Sequence, residues 1–288
     1  MFHSLAQRPA PFRFRHEVVT VHDIFPLTGA TYSTASFQKQ FSKLLLAALR
    51  RADALIAQSE FTARQLREHT DVDLRRVHIV PFGVELPARV LTAEERSRER
   101  EKLTGAGERL VLAVGAIQHR KNTANVVRAL ASLPREYKLA LAGSDGYGAE
   151  QVHELIRREG LADRVKKLGY VSAEELATLY QSADVLAFPS LEEGAGLPVL
   201  EAMAAGLPVV TARTSALPEA AGDAALYADP HDARDIAEKI RAAVEEPHTR
   251  EELIRKGRER ARGFRWSDTA QATMRVYEEV LSGRAWRE

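Results

Sequence analysis

Two carboxylates, Glu193 and Glu201, flank the stretch Gly194-Ala-Gly-Leu-Pro-Val-Leu200. Paired carboxylates can serve as acid and base at a glycosidic bond. A carboxylate can equally accept hydrogen bonds from the hydroxyl pair of a ribose, as acidic residues do in dinucleotide folds. Glu201 falls about one turn inside a helix and Glu193 in the turn before it. The two side chains therefore address different parts of one ligand, which favours the second reading. Gly194 and Gly196 let the backbone approach a ligand closely, and the N–H groups near Leu197 can meet a phosphate or a sugar hydroxyl. Arg120 and Lys121 are adjacent cations at a helix start, where free N–H groups and the helix dipole favour anions. Such a pair suits a pyrophosphate, and by type alone it serves as well as surface charge. His22 and Asp23 end a buried strand, a place for a ligand contact or for a hydrogen bond to the next loop.

The elements that must hold these residues alternate. Apolar strands are read at Glu17–Val21, Asp53–Ala57, Val77–Val80, Leu110–Gly115, Lys138–Ala142, Val165–Leu168, Val185–Pro189 and Pro208–Ala212, with another near Ala225–Tyr227. Helical spacing is read from Phe37 to Arg51, after the N-cap Ser59, through Val126, Val127 and Leu130, at Glu150–Glu159 and at Ala173–Ser182. Strand, turn, helix, strand at short spacing predicts parallel sheets wound on both faces. Ligands of such sheets bind at the carboxyl ends of the strands, where Glu193 and the Arg120-Lys121 pair fall. Residues 85–108 are dense in Glu and Arg and predict a linker helix with a solvated face. Three helices close the chain, with Trp266 and Tyr277 as packing anchors. Residues 1–16 show no periodicity. Phe2, Phe12 and Phe14 interleave there with Arg8, Arg13 and Arg15, a composition that fits either a plain lead-in or contact with an anionic membrane surface.

The chain has 288 residues, 45% of them hydrophobic, enough for one large or two modest domains. Its 41 basic and 40 acidic residues give no bulk field for nucleic acid. With no cysteine, disulfides, thiolate metal sites and cysteine nucleophiles are excluded. No apolar run reaches the ~18–20 residues of a membrane span. The expectation is a soluble cytoplasmic protein. G-x-G-x-x-G, P-loop, G-x-S-x-G and metal-ligand spacings do not occur, which argues against nicotinamide, flavin, P-loop, serine-hydrolase and metal chemistry.

Together these residues resemble the retaining, nucleotide-sugar-dependent glycosyltransferases called group 1 or family 4, whose two facing Rossmann-like domains form the GT-B fold. The most specific likeness runs from Phe188 to Val210 and carries a Glu-x₇-Glu pattern at Glu193 and Glu201. Gly115 with Arg120-Lys121-Asn122 resembles the family's phosphate-binding loop, although Ala116 stands where some branches carry a basic residue. Thr20-Val-His-Asp23 resembles the strand end whose histidine touches the donor sugar, and Val80-Pro-Phe-Gly-Val84 the step between the domains. The resemblance implies an N-terminal acceptor-side domain at 1–86, a linker at 87–108, a nucleotide-sugar-binding domain at 109–265 and a helix at 266–288 returning to the first domain. It implies that Arg120 and Lys121 hold the diphosphate as leaving group, with Gly115 beside it. Glu193, Gly194, Gly196 and Leu197 would contact the sugar and phosphate, Glu201 the ribose, Tyr170 and Val171 the base, and His22 the sugar from the other domain. The donor is a nucleotide diphosphate hexose of mannose or glucose type. The acceptor is a glycan or a lipid-linked sugar, met in the cytoplasm or at the inner membrane face. No metal and no cofactor are implied.

Relatives carry one or more βαβ units before the His-Asp strand, whereas Met1 stands a short way before it here. The N-terminal domain is expected to be incomplete, with an uncovered sheet edge, so that a complementary N-terminal chain is a partner to consider. A second reading is therefore a non-catalytic nucleotide-sugar-binding subunit, and a third an epimerase of the same architecture.

Overall fold

The structure, a computed structural model, describes residues 1–29 and 31–283. It divides into two compact units: residues 1–83, 193–195 and 264 onward form the first, and residues 84–192 and 196–263 the second.

The first unit holds a four-stranded parallel sheet in the order β1-β2-β3-β4. Its strands are β1 (Phe2–Ser4), β2 (Glu17–Val21), β3 (Ala54–Ala57) and β4 (Val77–Ile79). Strands β2 and β3 are buried at every position, as parallel strands covered on both faces should be, with Glu17 and Thr20 the polar residues of β2. Helix α1 (Ala35–Arg51) starts at Thr34, whose hydroxyl accepts from Phe37 N. It lays Leu45, Ala48 and Leu49 against Val19, Val21 and Leu55. Helix α2 (Glu60–His69) starts at Ser59, whose Oγ accepts from Thr62 N at 3.0 Å. Strand β1, pairing Phe2 with Glu17, lies in the stretch read without periodicity. At three residues it is too short to display an alternation.

The second unit begins with α3 (Ala93–Glu101), closed at its start by a capping box of Thr92 and Glu95 and with no buried residue. It is the solvated helix expected of its charge. Then come β5 (Arg109–Val114), α4 (Thr123–Ser132), β6 (Tyr137–Ala142), α5 (Ala149–Arg158), β7 (Val165–Gly169) and α6 (Ala173–Ser182). The rest is β8 (Val185–Phe188), α7 (Leu197–Ala205), β9 (Val209–Ala212), α8 (Leu217–Ala221), β10 (Leu226–Ala228), α9 (Ala233–Glu245) and α10 (Pro247–Arg262). All six strands are parallel, in the order β10-β9-β8-β5-β6-β7. One core joins Val111, Leu139, Leu141 and Val185 of the sheet to Val126, Val127 and Leu130 of α4 and Ile236 and Ile240 of α9.

The strand order decides where a ligand can sit. From β5 the chain winds one way through β6 and β7, then returns to the other side of β5 with β8 and continues to β10. Adjacent loops leave β5 and β8 in opposite directions, which opens a crevice at their carboxyl ends. The loops that leave those two strands are 115–122 and 189–196.

The last helix, α11 (Trp266–Ser282), belongs to the first unit. Val276 and Val280 pack with Val18, Ala54 and Ile56, Tyr277 lies against that cluster, and the Trp266 ring stands 5.8 Å from Phe82. Among the described residues no helix is long and apolar enough to cross a membrane.

Candidate functional site

The loop after β5 is built by its backbone. Gly115 N donates to Ala142 O at 2.9 Å and Ile117 N to Ser144 O at 2.9 Å, which ties it to the loop after β6. Gly143 lies so close that a Cβ there would sit 2.1 Å from Gly115 O. Lys121 folds its stem over Gly115, with Cε 3.1 Å from where a Cβ on that glycine would stand, and sets its ammonium 4.7 Å from the Phe188 ring centre. A cation over an aromatic face is attracted by the ring quadrupole, which helps hold it in place. Lys121 thus stands at the β5–β8 crevice, beside the glycine with which the sequence grouped it.

Arg120 is occupied differently. Its Nη1 donates to Glu192 O at 2.7 Å, and its own carbonyl accepts from Leu191 N at 2.9 Å. Arg120 therefore laces the β5 loop to the β8 loop. Asn122 adds a second lace. It is buried, with φ +58°, and its Nδ2 donates to Pro189 O at 3.0 Å and Pro230 O at 2.7 Å. Asn125 Nδ2 also reaches Pro230 O, at 2.8 Å. Thr211 and Thr214 fix the β8 end further, donating to Phe188 O at 2.9 Å and Ser190 O at 2.8 Å.

Helix α7 opens at Gly196, whose φ of +73° suits glycine, and no side chain caps its start. Its first-turn amide at Leu197 and the positive end of the helix are left for an anion or hydroxyl. Pro198, without an N–H, costs nothing there. Glu201 is half-buried one turn in and accepts a hydrogen bond from the Tyr180 hydroxyl at 2.7 Å. Burial raises the Glu201 carboxyl above its usual range, and the Tyr180 bond pulls the other way. Tyr180 is pushed well up, by burial first and then by the Glu201 charge. Tyr170 and Val171 line a groove of about 530 Å³ with α3 and the Thr178, Leu179 and Ser182 side of α6, and Tyr170 is 85% exposed.

Glu193, 6% exposed, groups with the first unit together with Gly194 and Ala195. Within that unit Gly194 O accepts from Ser59 Oγ at 2.6 Å and Thr62 Oγ1 at 3.2 Å. Also in the first unit, the His22 ring stacks near Phe82 at 5.9 Å, with Nε2 2.7 Å from Leu5 O and Nδ1 3.2 Å from Gln58 Oε1. With Nε2–H donating to Leu5, a neutral ring needs the Gln58 amide turned to present its NH₂. Among the described residues no group of three or more His, Asp or Glu could hold a metal ion.

The structure thus brings Gly115, Lys121 and the loop leaving β8 together at the crevice. It gives Glu201 a partner on α6 and puts Tyr170 and Val171 in a groove on another side of that helix. Tyr180 and Gly143 were given no role from the sequence, and Asn122 was read only as a member of the Arg120-Lys121-Asn122 loop, not as the residue that laces it. An Asn before a helix, tolerant of a left-handed backbone, was the signal for that role.

Comparison with known proteins bears on the family and the fold. The sequence pattern of the family described as "Glycosyl transferases group 1" matches residues 95–260, and that of "Glycosyltransferase Family 4" matches residues 4–87. O-antigen chain mannosyltransferase B of Escherichia coli is 29% identical over 272 residues, which is 93% of this chain and 71% of that protein. D-inositol 3-phosphate glycosyltransferase of Kineococcus radiotolerans is 34% identical over 256 residues, 81% of this chain. This chain spans only 59% of that relative's length. Among solved structures, sucrose-phosphate synthase of Thermosynechococcus elongatus superposes with a TM-score of 0.81 at 27% identity, over 95% of this chain and 69% of that one. With the first pattern covering more than half of its length, and two parallel-sheet units matching the GT-B architecture, the chain belongs to the group 1 glycosyltransferases.

Proposed function

We propose that this protein transfers a hexose, of mannose or glucose type, from a nucleotide diphosphate to a glycan or lipid-linked acceptor, with retention of configuration and without a metal ion. The observation that carries the reading is the placement of Lys121 and the α7 start at the β5–β8 switch point, with Glu201 one turn behind. In this reading the Lys121 ammonium meets the diphosphate, whose negative charge grows as the glycosidic bond breaks. A fixed cation stabilises that charge more than it stabilises the bound donor, which lowers the barrier. The Leu197 amide assists at the phosphate or the sugar. Glu201 accepts from the ribose hydroxyls, Tyr170 and Val171 meet the base, and Glu193 and His22 contact the sugar. Arg120 serves chiefly by lacing the two loops, its reach to Glu192 O being compatible with a remaining N–H on the phosphate. The leaving phosphate takes the acceptor proton on the same face, so no side-chain base is required. A lipid-linked acceptor would be met at a membrane surface. Leu5, Phe12 and Phe14 are exposed beside Arg8, Arg13 and Arg15, a combination suited to anionic headgroups.

The test is nucleotide release from UDP- and GDP-hexoses, with and without candidate acceptors, for the wild type and Lys121→Ala. Loss of a preorganised cation at the leaving group should lower kcat/KM about 100-fold or more. An active wild type with an equally active Lys121→Ala variant would refute the phosphate role.

A further inference from the structure

Tyr180 has no place in the account so far. It lies on α6, is 4% exposed, and its hydroxyl donates to Glu201 Oε2 at 2.7 Å. We propose that Tyr180 is the positioning residue of the ribose grip: it pins one oxygen of Glu201 so that the other is held out to the donor's ribose hydroxyls. The inference rests on the reading of Glu201 as the residue that accepts from the ribose.

The geometry carries it in three steps. A glutamate on a helix has three rotatable bonds, and ordering such a chain on binding costs affinity. Tyr180 supplies a fixed post, because its side chain is buried and its hydroxyl has one rotor only. A carboxylate has two oxygens with about four lone-pair sites. One donated hydrogen bond settles its plane and still leaves acceptor capacity for a vicinal hydroxyl pair. The contact length is that of a hydroxyl donating to an ionised carboxylate or close to it.

The bond also bears on the charge of Glu201. Burial favours the neutral acid, whose O–H would compete with the ribose, and the Tyr180 bond opposes this. Of the other elements packed on α7, α6 carries Glu174 and Glu175, α8 carries Glu219, and α10 carries a run of charges in which the Arg258 guanidinium lies by Gly206 and Arg260 donates to the Glu219 and Ala220 carbonyls, while β8 and β9 bring no titratable side chain. Burial and Tyr180 are what displace the Glu201 titration.

A buried tyrosine must bond to something, so a purely structural role is the alternative to defeat. The experiment measures binding of UDP and GDP, and of inorganic pyrophosphate, which lacks the ribose. It compares the wild type with Tyr180→Phe, Glu201→Gln and the double variant. Tyr180→Phe keeps the ring and removes only the hydroxyl. The expected result is about a tenfold loss of affinity for the nucleotide that the wild type binds. Pyrophosphate affinity should be unchanged, and the double variant should bind no worse than Glu201→Gln alone. The acid limb of nucleotide binding should move to higher pH in Tyr180→Phe, because the hydrogen bond that favours the carboxylate is gone. Wild-type nucleotide affinity in Tyr180→Phe, with a loss in Glu201→Gln, would overturn the positioning role and leave the ribose grip standing. Equal losses for nucleotide and pyrophosphate in Tyr180→Phe would also overturn it, as general damage. Full nucleotide affinity in Glu201→Gln would overturn the ribose grip itself.

Discussion

Replacing Asn122 with alanine should damage the second unit more than any exposed change near the site. The side chain is buried and donates to two carbonyls, Pro189 O on the β8 loop and Pro230 O on the turn before α9. Pro230 keeps the Asn125 amide, so its loss amounts to one ordinary hydrogen bond, about 1 kcal/mol. Stripping a donor from the buried Pro189 carbonyl costs about 1–3 kcal/mol. Asparagine tolerates its φ of +58° better than alanine does, a difference of less than about 1 kcal/mol. The whole comes to about 3 kcal/mol. Asn122→Gly loses the same hydrogen bonds but relieves the backbone, so it should be about 1 kcal/mol more stable than the alanine variant. Fluorescence is a poor reporter, because Trp266 and Trp286 both follow residue 263. Hydrogen exchange read on peptides covering 110–132 and 185–192 measures the affected unit directly. A loss below about 1 kcal/mol in Asn122→Ala would refute the lacing argument. A glycine variant no better than the alanine variant would refute the backbone part of it.

Two further outcomes follow from the same geometry. A Cβ on Gly143 would press on Gly115 O, so Gly143→Ala should push the β5 loop away from the sheet edge. Donor-nucleotide affinity should fall at least tenfold, and unchanged binding in calorimetry would show that the loop does not touch the ligand. Glu201 gives a pH dependence of stability. Its proton is held to higher pH in the folded chain than in the unfolded one, so the associated stability is full below the ordinary glutamate range and is lost as pH rises through the folded value. Urea unfolding of Glu201→Gln at pH 4 and pH 7 should therefore show the variant gaining on the wild type as pH rises. A difference independent of pH would contradict the burial argument.

Most of the second unit was legible in the sequence because each buried parallel strand is a continuous apolar run bounded by turn residues. Val185 to Phe188 and Val209 to Ala212 are examples, and α6 falls on its expected bounds. Helix α7 was legible from Pro198 near its start and Gly206 at its end. The first strand was not, since three residues carry no period. At the site, Glu201 and Lys121 were visible as charged residues at the carboxyl edge of an apolar frame. Tyr180 was invisible, because its link to Glu201 spans 21 residues and two helices, and nothing local separates it from a core tyrosine. Arg120 shows the opposite limit. Its type and position fit a phosphate contact, but only tertiary structure reveals that its guanidinium reaches a backbone carbonyl. Residue type states what a side chain can donate, and packing decides what receives it.

The central claim is that the second unit grips a nucleotide sugar at the β5–β8 switch point. The direct measurement is calorimetric titration of the chain with UDP- and GDP-hexoses, repeated for Lys121→Ala and Glu201→Gln. The account predicts saturable binding of one nucleotide class, weakened by both substitutions, with pyrophosphate binding weakened by Lys121→Ala alone. Binding that neither substitution alters, or no binding of any nucleotide sugar by the folded chain, would contradict it.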